Sequence, residues 1–113
     1  MGESKVIFQF TSDLKEDLEK LKSQLKNLVK AIPLIQAEVA IHGNAVNFFV
    51  NENPEGEALV KLFPHRIEVV LCNNALVANN ILPQNILEGC KVVPAAIAHI
   101  VERQMNGWAY IKA

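Results

Sequence analysis

The sequence predicts an α/β domain in which a five-stranded parallel sheet lies between helical layers. Three observations predict it. Short runs that are apolar at nearly every position recur along the chain, as strands enclosed on both faces require. Between them lie segments whose apolar residues fall at steps of three and four, the period of a helix. The order reads β-α-β-α-β-α-β-α-β, and a helix between two strands returns the chain to pair in parallel.

Val6-Ile7-Phe8-Gln9-Phe10 is the first strand. Thr11-Ser12-Asp13 then offers side-chain oxygens to cap a helix. Leu14, Leu18, Leu21, Leu25, Leu28 and Ile32 form its apolar stripe, opposite Lys and Glu, and Pro33 closes it. The strand Ile35 to Ile41 alternates at its start, with Gln36 and Glu38 against Ile35, Ala37 and Val39, so it should be less enclosed there. His42-Gly43-Asn44 turns the chain, Ala45 to Val50 reads as helical, and helix resumes from Glu55 to Phe63 after Asn53-Pro54. Pro64-His65-Arg66 feeds the strand Ile67 to Leu71, and a short helix follows Cys72. After Leu82-Pro83-Gln84 and Gly89 comes the short strand Lys91 to Val93. Pro94 suits the first turn of a helix to Asn106, Asn106-Gly107 ends it, and Trp108 to Ile111 is the last strand. No repeat, low-complexity tract or linker divides residues 1–113, which read as a single domain.

Half of the residues are hydrophobic and mean hydropathy is +0.16, more than a chain of 113 residues hides alone. Self-association is the expected remedy. A net charge of −1, without a Lys/Arg cluster outside one amphipathic helix, argues against nucleic acid or an anionic membrane as partner. The apolar runs are too short to span a bilayer, and the amino terminus lacks a secretory signal. Two cysteines then fit a reducing, cytoplasmic setting.

Chemistry should collect at the carboxyl edge of the sheet. Thr11, Ser12 and Asp13 fall there, with His42, Gly43 and Asn44, then Cys72, Asn73 and Asn74, and last Pro94, Ala95 and Ala96. Cys72 stands where a strand ends and a helix begins, beside amide N–H groups that favour a thiolate. The plainer alternative is a small apolar residue packed at a strand end. If the second and third strands are neighbours, His42 lies on the adjacent strand end and a thiolate–imidazolium pair is within reach. In the other strand order the pair is too distant for contact, and the plainer alternative for His42 is a turn residue bonded to backbone. Cys90 begins its strand at the opposite edge, about 13–16 Å away, so the two thiols should not pair. His65 falls in an exposed loop at the wrong edge, and His99 on the polar side of the last helix. No zinc spacing, phosphate-cradling glycine motif or serine-hydrolase motif occurs, so neither metal nor cofactor is expected.

The stretch Val69-Val70-Leu71-Cys72-Asn73-Asn74-Ala75-Leu76 resembles the DsrE/DsrF-like family, which includes the TusD-type sulfur-relay subunits. So does the tail, with Gly89-Cys90-Lys91-Val92-Val93-Pro94, Ile100-Val101-Glu102-Arg103-Gln104 and Gly107-Trp108-Ala109-Tyr110-Ile111-Lys112. His42-Gly43 after the second strand is similar too. The resemblance implies a flavodoxin-like three-layer α/β/α sandwich with strand order 4-3-2-1-5, assembled as a homo-oligomer, a trimer or a hexamer. In relay members a cysteine matching Cys72 accepts sulfane sulfur as a persulfide from a donor protein and passes it to an acceptor. Two departures stand out. Val77-Ala78-Asn79-Asn80 replaces arginines and a glycine, and Ala95-Ala96 replaces a Ser-Gly.

The expected function is therefore a sulfur carrier or sulfurtransferase-like subunit acting through Cys72, with His42 beside it. The alternative is a non-catalytic oligomeric module whose edge residues Thr11, Ser12, Gly43, Asn44, Asn73 and Asn74 hold a small anionic or nucleotide-like ligand. A flavin carrier is disfavoured by the missing phosphate loop, and Phe48 and Phe49 read as core or interface.

Overall fold

The computed structural model describes residues 4–113. Strands β1 (Lys5–Phe10), β2 (Gln36–Ile41), β3 (Ile67–Cys72), β4 (Lys91–Val93) and β5 (Ala109–Lys112) form one sheet in the order β4-β3-β2-β1-β5. Every pairing is parallel. This is the predicted sheet, with β2 and β3 adjacent.

Register separates two faces. Val6, Phe8 and Phe10 of β1 align with Ala37, Val39 and Ile41 of β2, and those with Ile67, Val69 and Leu71 of β3. All nine are buried. Helix α1 (Lys15–Ala31) covers this face with Leu18, Leu21 and Leu25, each at most 1% exposed. Its leucine period is what lets one helix cover a flat apolar surface. Phe49 joins the core from a 3₁₀ helix, Gly43–Phe49, and Leu59 joins it from α2 (Pro54–Val60). The opposite face carries Ile7, Gln9, Glu38, Glu68 and Val70, and α4 (Ala96–Met105) lies against it. The short helix α3 (Asn73–Ala78) follows β3 directly. No helix among the described residues is long and apolar enough to cross a membrane.

Several local expectations are corrected. The Thr11–Asp13 oxygens do not cap α1: Leu14 holds the N-cap position without a side-chain bond. Ser12 instead accepts from the Leu14 amide at 3.1 Å and donates to Asp17 at 2.6 Å, turning the chain before the helix. The ends of the leucine stripe, Leu14 and Ile32, are exposed. The Ala45 to Val50 segment is 3₁₀ rather than α. Pro94 lies before α4, whose N-cap is Ala95. Glu38 is only 6% exposed, not on an open strand start, and His99 turns inward to reach it.

Candidate functional site

β3 ends where its β-branched run Ile67, Val69 and Val70 gives way to Cys72, the N-cap residue of α3. Cys72 is 7% exposed, whereas Asn73 and Asn74 after it are open to solvent. Across the sheet Cys72 pairs with Val93 of β4. The chain leaving β4 places the Pro94 carbonyl 3.4 Å from the Asn74 N–H, so that amide is already engaged. The first turn of α3 therefore offers sulfur fewer donors than its position alone implies.

The register Ile41 to Leu71 sets His42 and Cys72 on neighbouring strand ends. Among the described residues no hydrogen bond joins them. His42 Nε2 lies instead 2.9 Å from the side-chain nitrogen of Gln9 on β1. Burial holds the His42 pKa below its ordinary value, which favours the neutral ring. His42 is thus a neutral imidazole bonded to Gln9 rather than to Cys72. Gly43 follows with φ +59°, a left-handed conformation that glycine adopts without strain.

Two asparagines brace this edge: Asn47, which the sequence reading passed over, and Asn79, which it noted only as part of a departure from the family. Asn47 donates to the Asn44 carbonyl at 3.0 Å and to Asn79 Oδ1 at 2.9 Å. Asn79 in turn donates to the Ala75 carbonyl at 2.8 Å. Together they tie the loop after β2 to α3, on either side of the His42 and Cys72 strand ends. Of the other predicted binding residues, Ser12 is occupied by its own turn, whereas Thr11, Asn73 and Asn74 are exposed. A shallow cavity of about 200 Å³ at this edge is lined by Asp13, Asn44, Asn47, Phe48 and Asn53. Its one charged wall is a carboxylate, and the segments that follow β1 to β4 open without Lys or Arg, although Lys112 ends β5 at the same edge. That composition disfavours an anionic ligand.

Both cysteines are free. Cys90 is half-buried and so more open than Cys72, but its surroundings push its thiol up to about 12, which makes it a poor nucleophile near neutral pH. Among the described residues no group of three or more His, Cys, Asp or Glu is arranged to hold a metal ion.

A second polar cluster lies toward the amino half of the sheet. Glu38 accepts from Arg103 at 3.0 and 2.9 Å and lies 2.7 Å from His99 Nε2. Burial pushes the Glu38 carboxyl up, but bonds from Arg103 and His99, with their charges, outweigh it and hold the group below its ordinary value. Arg103 also stacks on Trp108, 4.7 Å from the ring centre. The sequence signal was there: His99 and Arg103 are four apart on one helix face. A cavity of about 220 Å³ beside it, lined by Glu38, Arg66, Glu68 and Trp108 among others, opens at the edge opposite Cys72.

No family model matches the sequence, and no curated protein matches it. Solved structures do. MTH1491 of Methanobacterium thermoautotrophicum, a protein of unknown function, superposes with a TM-score of 0.91 at 28% identity, over 97% of this chain and 99% of that one. This chain has its fold. The ychN protein of E. coli gives 0.77 at 11% identity, over 99% of this chain and 100% of that one. BT1422 of Bacteroides thetaiotaomicron, a conserved protein of unknown function, gives 0.75 at 14%, over 97% and 95%. These two share the architecture alone. The strand order is the one that the DsrE/DsrF-like resemblance implied.

Proposed function

We propose that the protein is a DsrE/DsrF-like sulfur carrier that holds sulfane sulfur as a persulfide on Cys72. The observation that carries this reading is the adjacency of the Cys72 and His42 strand ends at the carboxyl edge of the sheet. The high pKa of Cys90 supports it by leaving Cys72 as the thiol for the chemistry. In the loading step the Cys72 thiol gives its proton to solvent. Its sulfur then attacks the outer sulfur of a donor persulfide. The donor S–S bond breaks, the donor departs as a thiolate, and Cys72 keeps the transferred sulfur. An acceptor thiolate repeats the exchange and regenerates Cys72. The partners are therefore a donor and an acceptor protein, and the chemistry belongs in a reducing compartment such as the cytoplasm.

The carrier acts as a homo-oligomer in this reading, a trimer or a hexamer. Ile97, Val101 and Met105 form an exposed stripe along α4, at 56%, 49% and 81% exposure, and Tyr110 lies on the same side of the sheet in β5. A second copy is the natural cover for it.

The test is to treat the protein with a persulfide donor and count sulfane sulfur. Cys90→Ser should load as the parent does, and Cys72→Ser should not load. Loading of Cys72→Ser refutes the assignment.

A further inference from the structure

Three side chains on the α4 face of the sheet form a line that ends at the candidate site. The Tyr110 hydroxyl on β5 donates to Gln9 Oε1 on β1, and Gln9 Nε2 lies 2.9 Å from His42 Nε2. Among the described residues Gln9 alone links the other two. We propose that Gln9 is a positioning residue whose amide, oriented by the Tyr110 hydroxyl, holds His42 as the neutral imidazole with its proton on Nδ1. This deepens the carrier reading and rests on it for its meaning in catalysis.

The argument is one of donors and acceptors. An amide NH₂ only donates, so the ring nitrogen facing it must accept. His42 Nε2 therefore carries a lone pair, and the single proton of the neutral ring sits on Nδ1. Protonating the ring would put an N–H at Nε2 against the amide N–H of Gln9. Gln9 would then have to turn over and present its oxygen, and Tyr110 would have to accept where it now donates. The tyrosine thus biases the histidine through the glutamine. Burial acts in the same direction, since it disfavours a charged ring.

The charged and titratable surroundings leave this bias in control. Lys112 lies opposite Gln9 on β5, and Cys72 is on the neighbouring β3 end. Asp13 follows β1 at the same edge. The 3₁₀ helix and α3 carry no charged residue. On α4, His99 and Arg103 are bonded to Glu38, four residues back along β2 and roughly 13 Å away, and Glu102 is exposed.

For sulfur transfer the consequence is specific. With Nε2 engaged, His42 does not take the Cys72 proton through that nitrogen. It enters as a hydrogen-bond donor through Nδ1, suited to a sulfur anion on the adjacent strand end.

The experiment is nitrogen NMR of the imidazole rings in the full chain, with His42 assigned by its loss in His42→Gln. At neutral pH the Nε2 of His42 should be of pyridine type and Nδ1 of pyrrole type, and the pKa should fall below 6.5. Tyr110→Phe should raise that pKa by about 0.5–1 unit, the equivalent of one hydrogen bond. Gln9→Glu should raise it by more than about one unit through its charge. A pyrrole-type Nε2, or a His42 pKa unmoved in Tyr110→Phe, overturns the proposal. Tyr110 is 37% exposed, so its loss of one hydroxyl leaves the fold intact and decides the matter even if Gln9→Glu does not fold. The same spectra of Cys72→Ser separate the two readings. A retained tautomer alongside undiminished sulfur uptake by Cys72→Ser would leave Gln9 in its role and remove the carrier.

Discussion

Replacing Glu38 by glutamine keeps the shape of the buried cluster and removes its charge. The carboxylate receives two bonds from Arg103 and lies against His99, with a side chain only 8% exposed. An amide offers one oxygen and turns an NH₂ toward groups that are themselves donors. Breaking a buried ion pair on one side costs about 3–5 kcal/mol. The Arg103 side chain is 34% exposed, so solvent screens part of that loss and roughly 2–3 kcal/mol is expected. For a chain of this length the drop in Tm is about 8–13 °C, read by calorimetry or circular dichroism. The loss must also depend on pH. The folded pKa of Glu38 lies below its unfolded value near 4.5, so its contribution is complete above that value. It is lost as pH falls through the folded pKa. The gap between parent and Glu38→Gln should therefore close in acid. A cost under about 0.5 kcal/mol, or a gap that persists unchanged in acid, refutes the ion-pair account.

Three further outcomes follow from the same structure. Iodoacetamide near neutral pH should label Cys72 before Cys90, because burial pushes the Cys90 thiol to about 12; the reverse order of labelled peptides would contradict this. Val101→Glu should dissociate the oligomer, since it puts charge into the exposed α4 stripe, and light scattering should show a monomer at micromolar concentration; a parent that is already monomeric removes the interface. Gly56→Ala should cost roughly 3 kcal/mol in urea unfolding, because a Cβ there collides with the Phe48 carbonyl, a backbone atom with no room to yield; a neutral effect would mean that α2 is free to shift.

Strand identity was legible because β1 and β3 are enclosed on both faces, and enclosure writes itself locally as Val6-Ile7-Phe8 and Val69-Val70-Leu71. The core side of α1 was equally plain in Leu18, Leu21 and Leu25. Strand order was not, because nothing in one strand names its neighbours; it rested on a resemblance. Polar partnerships were hidden for the same reason. Glu38 finds His99 across 61 residues, and Gln9 finds Tyr110 across 101. A carboxylate between Ala37 and Val39 reads locally as a solvent-facing residue, and only its distant partners make it a buried one. The placement of Cys72 at a strand end was readable, while the engagement of the Asn74 amide by Pro94 depended on how β4 closes over it.

The central claim is that Cys72 holds sulfur, and mass spectrometry of the native protein tests it most directly. After exposure to a persulfide donor and removal of the excess, intact mass should rise by about 32 Da, one sulfur atom. Peptide analysis should place that mass on Cys72, and a thiol acceptor should then remove it. An unmodified Cys72, or the added sulfur found on Cys90, would contradict the account.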